Sequence, residues 1–198
     1  MSAANVRVGV GCFVTHKHND QVLFLLGKRH GSHGENTWGL PGGHLELGES
    51  WASCVEREVL EECGVQIQRC RFVGATNDVF DPASMHYVTL FMAAKPLTNG
   101  SYCDNGSDND NIAFEQRLPE VRLMEPDKCL MWAWVSWSEL VARKAVLRDA
   151  CSSRVCNQIE AEEKHDNTGL DLSSLFLPLL NLERQYGAQG PSWLNPTL

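Results

Sequence analysis

Residues 43–65, GHLELGESWASCVEREVLEECGV, contain the pattern on which the fold assignment depends. The section from Trp51 to Cys63 lacks Gly and Pro and repeats at helical spacing, so it predicts a helix. Ser50 is suited to cap the N-terminus of this helix, and Gly64 is suited to end it. The pattern therefore predicts one short, well-bounded helix preceded by a glycine-rich loop.

The predicted helix separates acidic from apolar side chains. Glu58 and Glu62 share one face because they are four residues apart, and Glu61 lies next to that face. The opposite side is an apolar stripe able to pack on a sheet, made of Ala52, Val55 and Val59. The sequence thus predicts a helix with one apolar face and one face that carries three carboxylates.

Clustered carboxylates repel one another, and a divalent cation removes the conflict. Oxygen ligands at this density suit Mg²⁺ or Mn²⁺, and Mg²⁺ also accepts phosphate oxygens of a substrate. An exposed acidic helix stabilised by Arg57 explains the same carboxylates equally well. The preceding Pro41-Gly42-Gly43 favours the metal site, because glycine lets backbone approach a ligand closely. Glu49 lies just before the helix, where the helix dipole favours a carboxylate and where it can orient Arg57.

Nine residues of this stretch fill every fixed position of the pattern G-x5-E-x7-R-E-U-x-E-E-x-G-U, where U is apolar. They are Gly43, Glu49, Arg57, Glu58, Val59, Glu61, Glu62, Gly64 and Val65. The chain therefore resembles the Nudix hydrolases, over about residues 6–142 and again over 172–187. This resemblance implies an α/β fold, the Nudix α/β/α sandwich with a mixed sheet, as a single domain over residues 1–198.

Within that family the chain looks like the MutT-type nucleoside-triphosphate diphosphatases. It is most similar to the eukaryotic group acting on dGTP-like, oxidised or thio-purine nucleotides. The likeness is carried by LLGKRHGSHGENTWGLPGGHLELGES, by NDVF and HYVT, by MEPDKCLMWAW and by LFLPL. It implies Mg²⁺-dependent attack of water on a phosphoryl centre, with Mn²⁺ as a substitute ion. A triphosphate would yield a nucleoside monophosphate and pyrophosphate, as in sanitation of the nucleotide pool.

The resemblance also assigns roles to the helix. Glu58 and Glu62 would bind the metal ion together with the carbonyl of Gly43. Glu61 would bind a second ion or act as a base, since family members differ here. Catalysis is therefore expected to depend on Glu61, Glu62 and Arg57.

Basic residues beside the glycine loop are candidates for binding phosphate. Lys28 and Arg29 follow the second predicted strand, and they either contact the triphosphate or are ordinary strand-end residues. His44 follows the glycines and either donates to a phosphate or only packs. His30 and His33 are expected to be surface loop residues.

Recognition of the base is expected to involve aromatic residues. Trp38, Tyr87 and Trp132 can stack on a purine, although each also suits the core of a sheet. Gly39 occupies a position where some relatives carry a polar side chain that touches the base, so the pocket could be wider here. Glu125 is a candidate for contacting a base edge.

The remaining chain predicts strands and two insertions. Strands are expected at 6–15, 21–27, 65–80 (split near Gly74), 85–95 and 129–136, and helices at about 138–164 and 172–185. The stretches at about 98–117 and 143–171 are interpreted as insertions, the first a polar surface loop and the second a solvated, charged helix.

Composition limits the function classes. The chain has 198 residues and a formal net charge of −8, which argues against nucleic acid as a partner. Its start lacks a signal-peptide pattern and its eight cysteines form no C-x-x-C pair, so reduced thiols and a cytoplasmic or nuclear protein are expected. No apolar run is long enough to span a membrane. The expected partner is a small-molecule nucleotide, and by analogy with the resembling group the protein could be a homodimer.

A nucleic-acid decapping role is disfavoured by the acidic charge and the lack of a basic stripe, and two other functions remain open on the sequence. One is hydrolysis of nucleoside-diphosphate-linked substrates such as NADH, ADP-ribose, coenzyme A or dinucleoside polyphosphates. The chain lacks an SQPWPFP-type motif, and Pro82 lies beyond the proline expected of ADP-ribose hydrolases, which argues mildly against that class. The other is a Nudix-fold binding module without turnover, which the intact motif disfavours.

Overall fold

The computed structural model describes residues 5–31, 33–81, 85–97, 117–146 and 169–194. The predicted insertion at 98–117 lies outside them except for Arg117. The predicted insertion at 143–171 lies outside them between 147 and 168.

A mixed sheet of seven strands forms the centre of the fold. The strands are β1 (Arg7–His18), β2 (Gln21–Arg29), β3 (Trp38–Gly39), β4 (Gly42–His44), β5 (Ile67–Asp81), β6 (Met85–Pro96) and β7 (Cys129–Ser136). The main path runs β3-β2-β1-β6-β5, while β4 pairs with β1 and β7 with β2. β1 and β6 are parallel and the other pairs are antiparallel, so the predicted mixed sheet is confirmed.

Helices cover this sheet on both faces. They are α1 (Trp51–Cys63), α2 (Trp137–Val141) and α3 (Leu177–Tyr186), followed by a 3-10 turn at Ser192–Leu194. A separate two-stranded sheet pairs β8 (Lys144–Val146) with β9 (Gly169–Asp171). Within the described part of the chain no helix is long and apolar enough to cross a membrane.

Alternation along β1 supplies both hydrophobic cores. Cys12 points into the core that contains Val55 of α1. Phe13, the next residue, points into the core that contains Leu179 of α3. Because successive side chains of a strand face opposite sides, one strand serves both layers. The α/β/α arrangement predicted for the chain is thereby confirmed.

The helix that decides the fold has the predicted limits. The Ser50 hydroxyl accepts a hydrogen bond from the backbone N–H of Ser53, and Gly64 ends the helix with a φ of +66°. Its buried face differs from the predicted stripe, since Ala52 is only half-buried whereas Cys54 and Cys63 are buried. The buried residues of α1 are Cys54, Val55, Val59 and Cys63.

Three expectations about the other elements were wrong. β5 is one continuous strand, because register shifts against β6, one of them between Phe72 and Gly74, absorb the irregularity that predicted a break. The helix predicted over 138–164 ends at Val141, because Arg143 adopts a φ of +60° and a strand begins at Lys144; the predicted helical stretch over 147–164 lies outside the described residues. The helix predicted over 172–185 begins only at Leu177.

The segment before α3 lies against the short strand β3. The backbone N–H of Trp38 donates to the carbonyl of Ser174 at 2.8 Å, and the N–H of Phe176 donates to the carbonyl of Trp38 at 2.8 Å. Because residues 174–176 pair with β3, helix α3 begins only at Leu177, and Phe176 is its N-cap residue. The position of that ring is therefore fixed by the sheet edge.

Candidate active site

A cleft of about 560 Å³ opens where α1, β4 and the N-terminus of α3 meet the sheet. One side of it, called here the acidic part, is formed by Gly42, Gly43, Glu58 and Glu62. The other side, the aromatic part, is formed by Phe80, Tyr87 and Phe176 with the His33 ring.

Glu62 is the most strongly perturbed carboxyl group of the acidic part. Burial raises the pKa of Glu62 to about 7, and the neighbouring charges of Glu58 and Glu125 add to the effect. The backbone N–H of Gly42 donates to Glu62 Oε2 at 3.0 Å and partly offsets it. A group held in this way binds a proton readily in the absence of a cation.

Glycine is required where the loop meets this helix. Gly42 has a φ of +148°, and a Cβ there would collide with the carbonyl of Val10. A Cβ on Gly43 would collide with the Glu58 carboxylate. The backbone of Gly43 and the Glu58 carboxylate therefore lie in direct contact, and close approach of a ligand to this backbone stays a prediction.

Arg57 is clamped between carboxylates. Its Nε donates to Glu49 Oε1 at 2.9 Å and its Nη2 donates to Glu49 Oε2 at 3.1 Å. Its Nη1 donates to Glu58 Oε1 at 2.7 Å. Hydrogen bonds from Arg57 lower the pKa of Glu49 to about 2. Glu49 thus orients Arg57, as predicted, and Arg57 in turn orients Glu58.

Glu61 stands apart from the other two carboxylates. Its side chain is 55% exposed, it lies 3.4 Å from Arg57 Nη1, and it does not line the cleft. Glu125 also lies outside the cleft wall and pairs with Lys128, whose Nζ is 2.8 Å from Glu125 Oε1. Lys128 itself lines the cleft beside the acidic part.

The acidic part fits a divalent cation only with help from other oxygen atoms. Among the described residues, no three His, Cys, Asp or Glu side chains form a metal-binding group. Glu58 and Glu62 could supply two carboxylate ligands and Gly43 a backbone carbonyl. Mg²⁺ suits such an incomplete set, because it keeps waters and accepts substrate phosphate oxygens.

Arg29 joins the two parts of the cleft. Its guanidinium lies 4.2 Å from the centre of the Phe176 ring, and its Nε donates to the carbonyl of His33 at 3.0 Å. Burial lowers the pKa of Arg29, while the negative charge of Glu62 opposes that change. Lys28 does not line the cleft, although the sequence pairs it with Arg29.

Three polar side chains joined by hydrogen bonds form the rim of the cleft that lies opposite Arg29. His44 Nε2 lies 2.8 Å from the hydroxyl of Tyr87, and Arg7 Nη1 donates to the same hydroxyl at 3.1 Å. All three residues line the cleft. His44 therefore packs against Tyr87 within the cleft, and its contact with a phosphate stays a prediction.

The aromatic part is a set of rings in edge and tilted contact. The Phe80 ring centre lies 5.3 Å from that of Phe176, 5.8 Å from that of Tyr87 and 4.5 Å from that of His33. Such an arrangement offers flat apolar surface to a planar ligand. His33 is an exposed turn residue, as predicted, and its ring also packs against Phe80.

A profile of the NUDIX domain matches residues 5–154. The chain belongs to the NUDIX family of hydrolases. The match covers α1 and its glycine loop, and with them the acidic part of the cleft.

Two curated relatives of this Nudix chain carry names of different activities. "Putative ADP-ribose pyrophosphatase YjhB" of Bacillus subtilis (strain 168) is 30% identical over 105 residues, which are 50% of this chain and 48% of that protein. "NAD-capped RNA hydrolase NudC" of Vibrio atlanticus (strain LGP32) is 34% identical over 74 residues, 37% of this chain and 26% of that one. The chain thus spans about half or less of the length of these relatives.

Solved Nudix structures share the fold at low identity. The crystal structure of a MutT NUDIX hydrolase from Burkholderia pseudomallei has a TM-score of 0.51 at 21% identity, covering 80% of this chain and 99% of that one. A MutT protein from Methanosarcina mazei Go1 has a TM-score of 0.50 at 18% identity, covering 83% and 100%. These likenesses support the architecture alone.

Several residues proposed for base recognition lie behind the wall of the Nudix cleft. Trp38 is buried in the core and its Nε1 donates to the carbonyl of Asp171 at 2.8 Å. Trp132 is buried in the other core. Gly39 lies behind Phe176 and Arg29, since a Cβ there would be 3.5 Å from one and 3.6 Å from the other. Tyr87 alone among the predicted aromatic residues lines the cleft.

Sequence reasoning missed several residues that do line the cleft: Arg7, Phe80, Thr89, Lys128 and Phe176. One available signal was the alternation of Tyr87, Thr89 and Phe91 along one strand, which places them on one face. Nothing local to the sequence reveals that Phe176 packs against Phe80, because that contact depends on β3 and α3 meeting the end of β5.

Proposed function

We propose that this Nudix hydrolase cleaves nucleotides in a metal-dependent reaction. Its first candidate substrates are (deoxy)nucleoside triphosphates, with normal or oxidised or otherwise modified purines, cleaved to the monophosphate and pyrophosphate. The observation that carries the proposal is the joining of an acidic part and an aromatic part within one cleft by Arg29. A phosphate chain fits the first part and a planar base fits the second.

Glu58, Glu62 and the Gly43 carbonyl would hold Mg²⁺, or Mn²⁺ in its place. The bound ion would stabilise charge on phosphate oxygens and lower the pKa of a bound water. Arg57, held by Glu49, keeps the Glu58 carboxylate turned toward Gly43. Glu61 is proposed as a base or as a ligand of a second ion, and its exposed carboxylate would act on a water or an ion at the solvent side of the cleft.

Basic and polar side chains would bind the remaining phosphate oxygens. Arg29 and Lys128 line the cleft near the acidic part, and His44 lines its opposite rim. Hydrogen bonds between such groups and phosphate are charge-assisted and therefore strong. The phosphate chain would then be oriented between them while its base lies among Phe80, Tyr87 and Phe176.

Hydrolysis of ADP-ribose or a related diphosphate-linked nucleotide is the second candidate. It is favoured by the name of the Bacillus subtilis relative, which matches this chain across 105 residues at 30% identity. The same acidic part would serve both reactions, because only the group beyond the diphosphate differs. A cleft of about 560 Å³ accommodates either class.

The test is product analysis by chromatography with Mg²⁺. Purified protein is incubated with the common dNTPs, 8-oxo-dGTP, NADH, ADP-ribose and a dinucleoside polyphosphate. Fastest release of monophosphate and pyrophosphate from triphosphates supports the first candidate. Faster cleavage of ADP-ribose replaces it with the second. Retained nucleotide binding without turnover of any compound contradicts both and indicates a binding module.

A further inference from the structure

Asp78 carries a fully buried carboxylate that has no role in the proposed reaction. Its relative exposure is 0%, and three groups reach it. The hydroxyls of Thr76 and Thr89 bond to its Oδ2 at 2.9 and 2.6 Å, and the side-chain amide of Asn181 donates to its Oδ1 at 2.9 Å. All three partners can donate a hydrogen bond to a carboxylate oxygen.

The chemistry of these partners fixes the direction of each bond. An ionised carboxylate carries no hydrogen, so it only accepts. Both threonine hydroxyls must therefore donate their single hydrogen to Asp78. Each hydroxyl has then used its hydrogen and can only accept further hydrogen bonds through the lone pairs of its oxygen.

Thr89 presents that oxygen at the floor of the cleft. It lines the cleft between Tyr87 and Phe91 on the same face of β6. Its partner across the parallel pair is Gly9, which has no side chain to cover it. A Cβ on Gly9 would lie 3.6 Å from Thr89 Oγ1, 3.7 Å from the Tyr87 ring and 3.8 Å from the Gly43 carbonyl, so the hydroxyl oxygen borders the cleft between Tyr87 and Gly43.

We propose that Asp78 is a specificity-determining residue, because it makes Thr89 an obligate hydrogen-bond acceptor toward the bound base. The aromatic part then selects bases that place an N–H donor over Thr89 and disfavours bases with a carbonyl or no group there. This inference rests on the proposed function, since it requires the base to lie in the aromatic part.

Asp78→Asn is the informative substitution because it keeps the shape and changes only the direction of the bonds. The new Oδ1 still accepts from Asn181. The new Nδ2 has two hydrogens, which suffice to donate to Thr76 and Thr89. The hydroxyl hydrogen of Thr89 is thereby released and can point into the cleft, so a base that presents an acceptor is favoured instead.

The experiment measures kcat/KM with Mg²⁺ for three substrate pairs in which one member carries an additional N–H donor group. These are dGTP against dITP, dATP against the triphosphate of deoxyribosylpurine, and 8-oxo-dGTP against dGTP. The proteins compared are the wild type, D78N, T89V, T89S and T76V. T76V is the matched control, since Thr76 binds the same Asp78 oxygen and does not line the cleft.

In the wild type, the donor-bearing member of at least one pair is expected to be favoured about tenfold or more, the usual size of a lost buried hydrogen bond. T89V and D78N should reduce that ratio to about twofold or reverse it, whereas T89S and T76V should keep it. If D78N does not fold, the kcat/KM ratios of T89V and T89S test the inference by themselves, since both variants retain Asp78.

Unchanged ratios in T89V overturn the inference, as does a wild type that discriminates within none of the pairs. If triphosphates are poor substrates but ADP-ribose is cleaved, the first candidate function fails. The inference is then judged on ADP-ribose against its hypoxanthine analogue in the same variants. If no nucleotide is cleaved, both proposals fail together.

Discussion

The acidic and aromatic parts of the cleft differ in how the chain builds them. The acidic part comes from one contiguous stretch, residues 42–62, whose spacing brings its groups together on a single helix and loop. The aromatic part takes Phe80, Tyr87 and Phe176 from three elements, with Phe176 far from the others in sequence. The groups proposed for chemistry are thus set locally, while the groups proposed for selection depend on the tertiary fold.

Loss of a carboxylate from the acidic part should have the largest effect. We expect Glu62→Gln to reduce kcat by roughly 10³-fold, within the range that a positioned carboxylate contributes. The amide keeps the shape but removes the negative charge, so the fold should persist by circular dichroism. Glu56→Gln, an exposed change on the same helix, should leave kcat near that of the wild type. Near-normal turnover of the Glu62 variant with the same metal requirement would refute the assignment.

The same substitution should stabilise the metal-free protein at high pH. Burial raises the pKa of Glu62 from 4.5 to about 7, so the protonated form is favoured in the folded state. The protonated Glu62 side chain contributes fully to the free energy of unfolding below pH 4.5, and this contribution is lost as the pH rises through about 7. In EDTA at pH 8, Glu62→Gln avoids that loss and should be about 3 kcal/mol more stable, or roughly 5–10 °C in Tm.

The pH dependence provides the control for this stability measurement. The difference in Tm between Glu62→Gln and the wild type should shrink at pH 5, where the wild-type carboxyl group is protonated in the folded state. Glu56→Gln should show no such change with pH. An equal gap at pH 5 and pH 8 would mean that packing, not titration of Glu62, causes it.

Removal of a ring from the aromatic part should change affinity more than rate. Phe176→Ala should raise KM by about 10- to 100-fold, because a stacked base contributes about 1–3 kcal/mol. The kcat should change far less, since the Phe176 ring lies against Phe80 and Arg29 rather than among the carboxylates. Phe72→Ala is the matched control, as that ring is exposed and lies outside the cleft. An equal loss in kcat would place Phe176 in the reaction itself.

Substitution of Arg29, which joins the two parts of the cleft, should have the smallest effect on KM. Its neighbour Lys28 provides a direct contrast. Arg29→Ala should raise KM by about tenfold, through loss of a charge-assisted contact to phosphate. Lys28→Ala, its neighbour outside the cleft, should stay within about twofold of the wild type. Steady-state kinetics of both variants on one substrate decide the matter, and equal effects would contradict the assignment of Arg29.

The difference between the two parts also explains what the sequence could predict. Helix α1, its caps and the positions of Glu58 and Glu62 follow from spacing over a few turns, so they were predicted to the residue. Trp38 was a plausible base-stacking residue by composition, but its indole bonds to Asp171 and is buried. Spacing along the chain cannot show which face of a two-residue strand meets the cleft.

Long-range contacts account for the other errors. The helix predicted to begin at residue 172 was delayed because the backbone of Ser174 and Phe176 pairs with Trp38. The same pairing puts Phe176 beside Phe80 and His33, which the sequence placed in unrelated segments. Each of these facts depends on a strand edge whose partner lies far away along the chain.

The hairpin of β8 and β9 has a consequence for the history of this chain. Val146 and Gly169 face each other across an antiparallel pair, so the two ends of the connection between β8 and β9 lie side by side. Chain inserted between two such neighbours can grow or shrink without pulling on β9 or α3, because the distance to be bridged stays constant. Evolution can therefore vary the length there while Phe176 keeps its place in the cleft.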